Sequence, residues 1–128
     1  MIVQRLLLDT HVYLWSLSNV SELSENTRAA IADPRNDVFV SAITGWEISV
    51  KRAKGRIRAP DNLAALVDER GFTHLPLTFH HAEQAGNLPM HHRDPFDRFL
   101  IAQAQAEGLV LVTRDARIPL YGVRTLTA

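Results

Sequence analysis

Two habits of hydrophobic patterning run through the chain. Short unbroken apolar runs stand next to polar turn residues, and longer stretches repeat their apolar positions at helical spacing. The run Leu6-Leu7-Leu8, with Ile2 and Val3 before it, predicts a buried strand ending at Asp9. Thr10 is placed to cap a helix through about Leu17. Ser24 reads as the N-cap of a second helix reaching Asp33, where Pro34 stops it. Val38-Phe39-Val40 is a second short strand, and a helix follows from Ala42 to Ala53 with Gly55 just past its end. Pro60 opens a helix through Leu66 to Arg70, ended by Gly71, and Phe72 to Leu77 reads as a strand. A helix near His80 to Ala85 gives way to a loop from Gly86 to Arg93 that contains Pro89. Asp94 caps a helix that starts at Pro95 and ends at Glu107, with Gly108 as terminator. Leu109-Val110-Leu111-Val112 is apolar throughout, as a strand covered on both faces should be. Val123 to Leu126 is the candidate for a last strand.

Strands alternating with helices predict an α/β fold whose mostly parallel sheet is covered on both sides. The 128 residues suit one compact domain, 1–128, and no internal repeat or low-complexity segment divides them. Hydrophobic residues make up 46%, enough for a core without covalent staples. Cysteine is absent, which excludes a disulfide framework and a cysteine zinc site. A formal net charge of zero excludes a strongly basic coat for nucleic acid, while leaving room for a local basic track. The N-terminus MIVQRLLLDTHVYLW lacks the arrangement of a signal peptide, and no apolar run approaches the roughly 18 residues of a membrane span. The expected location is the cytoplasm.

Chemistry enters through the acids. In open parallel sheets ligands bind beyond the carboxyl ends of the strands. Asp9 follows the first strand, Asp115 follows the LVLV strand, Glu47 lies about two turns into the helix after the second strand, and Asp94 and Asp97 open the Pro95 helix. Segments far apart in sequence are thereby expected to deliver carboxylates to one edge of the sheet. Clustered carboxylates raise one another's pKa, and a divalent cation relieves the repulsion. Oxygen ligands without His or Cys suit Mg²⁺, or Mn²⁺ as a substitute, better than zinc. Such ions activate water and neutralise charge on a phosphodiester. Each acid also has a purely structural role open to it: Asp9 and Asp94 as helix caps, Glu47 as a solvated helix residue, Asp115 in a turn.

The chain resembles the PIN-domain nucleases, and specifically the VapC-like toxins of toxin–antitoxin pairs. The resemblance rests on LLLDTHVYLW, SAITGWEISVKRAKGRI and HHRDPFDRFLIAQAQAEGLVLVTRDARIPLYGV, and it covers essentially the whole chain. It implies a PIN-like three-layer α/β/α sandwich, a Mg²⁺ site and endoribonuclease activity. By the same resemblance Asp9, Glu47, Asp97 and Asp115 are the catalytic and metal-holding acids. The DPFD stretch makes Asp94 a rival for Asp97, which the apolar spacing through Ile101, Ala102 and Ala104 favours. An RNA substrate, a cognate antitoxin that plugs the site and a homodimer are implied as partners. The alternatives are a PIN-like binding or assembly module without activity, and a metal phosphoesterase acting on DNA or nucleotides. A generic phosphate-binding α/β protein is disfavoured, because no GxGxxG or Walker stretch is present.

The stretch from Lys51 to Arg58 carries five cations and no acid, and is either a phosphate track or a solvated helix end complementing the dipole. Arg98 and Arg114 adjoin acids and either touch phosphates or pair with carboxylates. The pairs His80-His81 and His91-His92 lack the i, i+4 spacing of a helical metal site, so exposed or locally hydrogen-bonded imidazoles are expected. Thr113 either holds the site through its hydroxyl or merely ends a strand. Trp15 and Trp46 are expected in the core or at a partner interface.

Overall fold

The computed structural model describes residues 3–128. In order, its elements are β1 (Arg5–Leu8), α1 (Thr10–Ser18), α2 (Glu25–Ala32), β2 (Asp37–Ser41), α3 (Ala42–Ala53), α4 (Leu63–Glu69), β3 (Thr73–Leu75), α5 (Phe79–Asn87), α6 (Pro95–Glu107), β4 (Val110–Thr113) and β5 (Thr125–Thr127). Single 3₁₀ turns at Val20–Glu22 and Ile118–Tyr121 join some of them, and the sequence pattern announced neither. Among the described residues no helix is long and apolar enough to cross a membrane.

The five strands lie in the order β3-β2-β1-β4-β5, and every pairing is parallel. β1 is therefore the central strand. The chain leaves it toward β2 and β3, then returns across the sheet to β4 and β5. Leu6, Leu7 and Leu8 are fully buried. A strand projects successive side chains to opposite faces, and the cores divide accordingly. Leu6 and Leu8 join Val12, Tyr13, Val38, Ile48 and Val67 on one side. Leu7 joins Ile43, Leu100, Ile101, Leu109 and Ile118 on the other. The result is the expected three-layer α/β/α arrangement. Burying each such leucine is worth about 1.5–3 kcal/mol, which explains why a strand of only four residues holds the centre of the sheet.

Several expected boundaries move. Val3 is 55% exposed and precedes the strand, and Ile2 lies outside the described residues. Asp9, not Thr10, caps α1: its side chain accepts the Val12 N–H, and Thr10 is the first helical residue. Pro60 does not open a helix, because α4 begins three residues later behind Asn62. Gly86 belongs to α5 instead of the loop. β4 is shifted by one residue to include Thr113, and β5 runs from Thr125. Ser24, Asp94 and Gly108 hold the roles assigned to them, with Gly108 at φ 66°.

Candidate acidic metal site

The site lies at the carboxyl ends of β1 and β4, where the strand order reverses. Asp9 continues the ladder by one bond, donating its N–H to the Val112 carbonyl at 3.1 Å. Its Oδ1 accepts the Val12 N–H at 2.9 Å. Burial pushes the Asp9 carboxyl above its ordinary value; Thr113, the Val12 N–H and His11 oppose the shift, and Glu47 adds to it.

Glu47 stands on α3 with only 3% of its surface exposed. Its Oε1 accepts the Thr10 hydroxyl at 2.5 Å, and its Oε2 is paired with Lys51 one turn along. Burial opposes the Lys51 charge, but Glu47, Asp94 and Asp97 together outweigh it and raise the ammonium's pKa. The expected basic stretch thus splits. Lys51 turns into the acids, while Arg52 donates to the Pro60 carbonyl at 2.8 Å. Lys54, Arg56 and Arg58 are exposed.

Asp94 and Asp97 open α6. Asp94 Oδ1 accepts the N–H groups of Phe96 and Asp97, at 2.8 and 3.2 Å. That bond pair makes Asp94 the cap and leaves the Asp97 carboxylate free of cap duty. Asp97 Oδ2 lies 2.9 Å from His92 Nε2. Burial, reinforced by Asp94, Glu47, Asp9 and Asp115, pushes Asp97 up to about 8.

Asp115 follows β4 and donates its N–H to Thr113 Oγ1 at 3.1 Å. Its Oδ1 accepts the Arg117 N–H at 2.8 Å, and its Oδ2 lies 2.8 Å from His92 Nε2. Burial acts to raise the Asp115 pKa, but Arg117 and His92 outweigh it and hold the carboxyl below its ordinary value. Thr113, only 3% exposed, is therefore more than a strand end, since it anchors the turn carrying Asp115.

Asp9, Glu47, Asp94, Asp97 and Asp115 share one cavity of about 200 Å³ with Thr10, His11, Trp15, Lys51 and Arg114. A larger cavity of about 270 Å³, lined by Tyr13, Val40, Ile48, Leu63 and Val67 among others, contains no carboxylate. The acids outnumber the cations that face them, and this imbalance adds to burial in raising the Asp97 pKa. The donor set is almost wholly carboxylate oxygen, which fits a hard divalent cation such as Mg²⁺ or Mn²⁺. Among the described residues, His92, Asp97 and Asp115 bring ligand-type atoms within 4.8 Å of one another.

Two expectations are corrected by this geometry. His92 is neither exposed nor merely locally bonded: it is 3% exposed and reaches carboxylates both five and 23 residues away. Its burial depends on the path of an aperiodic loop, which hydrophobic spacing does not encode. Among the described residues Arg98 pairs with no carboxylate. Its guanidinium donates to the carbonyls of Ala85, Gly86, Leu88, Pro89 and His92. Arg114 pairs with Glu22 at 3.4 Å and lies 4.4 Å from the Trp15 ring centre. Trp15 packs against the core, whereas Trp46 is 58% exposed and meets Phe96 edge-on at 5.2 Å. His81 is buried and forms a reciprocal cap with Thr78 at the start of α5.

No curated protein sequence matches the chain. Among solved structures, the chain is similar to VapBC2 from Rickettsia felis bound to a DNA fragment from its promoter. That match has 14% identity and a TM-score of 0.70, over 97% of this chain and 98% of the other. DNA-bound VapBC from Salmonella typhimurium matches at 21% identity and TM-score 0.68, over 98% of both chains. FitAcB from Neisseria gonorrhoeae matches at 20% identity and TM-score 0.58, over 95% and 96%. At these identities the likeness is one of fold. The family model described as PIN domain matches residues 6–123, from the first residues of β1 to the threshold of β5. The chain belongs to the PIN domain family.

Proposed function

We propose that this chain is a Mg²⁺-dependent endoribonuclease, the VapC-like toxin of a toxin–antitoxin pair, formed as one PIN domain over residues 1–128. The observation that carries the proposal is the cavity in which acids from four separate segments meet beside strand ends. Asp9, Glu47, Asp97 and Asp115 would hold the ion, with Mn²⁺ as a possible substitute. When bound, the ion would make its water more acidic and neutralise charge on the phosphodiester.

The chain's own groups prepare that chemistry. Thr10 and Lys51 fix the two oxygens of Glu47. Asp94 Oδ1 accepts two cap N–H groups, where Asp9 Oδ1 accepts one and neither Asp97 oxygen accepts any, so of the two acids that open α6 Asp97 is the better candidate for the ion. The raised pKa of Asp97 is the signature of a carboxyl for which a nearby cation would supply missing countercharge. Lys51 and Arg114 on the cavity wall are suited to the phosphates flanking a scissile bond. The partners proposed are RNA as substrate, a separately encoded antitoxin and a second copy of this chain. Support for the antitoxin comes from the fold likeness to VapBC and FitAcB structures.

The test is cleavage of single-stranded RNA by the purified chain, with Mg²⁺ or EDTA, beside a single-stranded DNA of the same sequence. Mg²⁺-dependent internal cuts in RNA alone are expected, and the Asp9→Asn protein should make none. Cleavage that survives EDTA, or cutting confined to DNA, would overturn the proposal.

A further inference from the structure

His92 belongs to no part of the acid set, yet it touches two of its members. Its Nε2 lies 2.9 Å from Asp97 Oδ2 and 2.8 Å from Asp115 Oδ2. Its other ring nitrogen is also committed, since Nδ1 accepts the Asp94 N–H at 3.1 Å. An imidazole nitrogen that accepts a hydrogen bond bears no proton, so in the neutral ring the proton sits on Nε2. A nitrogen that bears a proton has no lone pair for a metal. The three close ligand-type atoms are therefore one donor between two acceptors.

The backbone around His92 is built to hold that orientation. The His92 N–H donates to Tyr121 Oη at 2.8 Å, and the same hydroxyl donates to the Pro89 carbonyl at 2.7 Å. From the opposite direction Arg98, 8% exposed, donates to the carbonyls of Leu88 at 2.8 Å, Pro89 at 2.9 Å and His92 at 3.2 Å. The loop between α5 and α6 is thus stapled by a residue of α6 and a residue near β5. Both staples leave the imidazole free to face the acids.

We infer that His92 is a positioning residue of the acidic site, which shares its Nε2–H between Asp97 and Asp115 and so fixes their separation without ligating the metal. The inference rests on the metal-nuclease function proposed above. Partners of this kind, one step removed from an ion, orient its ligands, and removing them costs about 10–100-fold in metal affinity or activity.

The experiment uses the full chain and its His92→Gln and His92→Ala variants. Glutamine can extend an N–H₂ donor toward the place of Nε2 but offers no imidazole nitrogen, while alanine offers neither. Titration calorimetry with Mn²⁺ should give His92→Ala a Kd weaker by about 10–100-fold, and His92→Gln should recover most of the loss. The kcat for RNA should follow the same order, with KM nearly unchanged. Long-range ¹⁵N correlation spectra should show the Nε2–H tautomer in the wild type, both with EDTA and with saturating Mg²⁺. A switch to Nδ1–H on adding Mg²⁺, or equal loss in both variants, would make His92 a ligand and overturn the inference. Wild-type affinity in His92→Ala would also overturn it. If the wild type bound no Mn²⁺ and cut no RNA, the functional proposal would fall; the tautomer in EDTA would then decide the hydrogen-bonding part alone.

Discussion

Replacing Asp97 with asparagine removes a carboxyl whose ionisation the folded protein opposes. Burial and the neighbouring carboxylates move Asp97 from 3.8 to about 8, with 21% of its side chain exposed. A carboxyl with a raised folded-state pKa keeps its proton longer when folded than when unfolded. Stability is therefore lost as pH rises from about 4 to about 8, and the whole penalty is present above that range. Each pK unit corresponds to about 1.4 kcal/mol, and about three units separate pH 7 from the unfolded value, giving a ceiling of about 4 kcal/mol. Asparagine cannot ionise, has nearly the same shape, and keeps an oxygen that accepts the His92 N–H. The metal-free Asp97→Asn protein should be more stable than wild type by about 2–4 kcal/mol at pH 7, and by only about 1 kcal/mol at pH 4.5. Urea unfolding in EDTA at several pH values between 4.5 and 8.5, extrapolated linearly to water, measures the difference. Millimolar Mg²⁺ should then stabilise the wild type by RT ln(1 + [L]/Kd) and the variant much less. A gain that does not grow with pH, or a variant less stable than wild type at pH 8, would refute the electrostatic reasoning.

Further consequences are open to direct measurement. Asp9→Asn should lower Mg²⁺-dependent RNA cleavage at least about a hundredfold while leaving circular dichroism unchanged. Asp94→Asn, whose amide oxygen can still cap α6, should cost less activity than Asp97→Asn; the reverse ranking would transfer the metal role to Asp94. Lys51→Ala should weaken RNA binding and reduce the log–log salt slope by roughly 0.7 for one lost phosphate contact, whereas an unchanged slope would confine Lys51 to its pairing with Glu47. Arg98→Met strips the donor from buried carbonyls at roughly 1–3 kcal/mol each, so unfolding free energy should fall by at least about 3 kcal/mol. A loss under about 1 kcal/mol would show that the loop does not depend on it.

The parts of the molecule governed by local rules were legible in the sequence. Helix α3 was bounded correctly because its periodicity stops at Ala53 and Gly55, at φ 69°, follows its end. The ends of α6 followed from Asp94, Pro95 and Gly108. The convergence of Asp9, Glu47, Asp94, Asp97 and Asp115 on one cavity was expected from where each acid falls along the strands and helices. The misassignments have tertiary causes. Pro60 satisfied the rule for a first helical turn, but the chain stays irregular until Leu63, and the carbonyl of Pro60 serves Arg52 instead. Arg98 sits beside Asp97 in sequence, yet a helix points neighbouring residues in different directions, and Arg98 faces α5. His92 was hidden because its orientation depends on Arg98 and Tyr121, which hold the loop from distant points in the chain. The available signal was a histidine placed five residues before an acid in a short Pro-containing loop, and that signal is weak without the fold.

The position of β1 at the centre of the sheet has a consequence for when the acids meet. Asp9 and Asp115 flank the same cavity, and their segments are joined by the pairing of Leu6, Leu7 and Leu8 with Val110, Leu111 and Val112, which Asp9 extends by one bond to Val112. Closing that pair joins points about a hundred residues apart, which makes it among the most entropically costly contacts in the fold. A folding chain can build β1, β2 and β3 with their helices while holding only Asp9 and Glu47 of the set. Asp115 arrives when β4 docks, and the loop carrying His92 is stapled only once Tyr121 has followed. Chemistry that needs all of these groups is thereby tied to completion of the sheet, and a partly folded chain has the acids without the site.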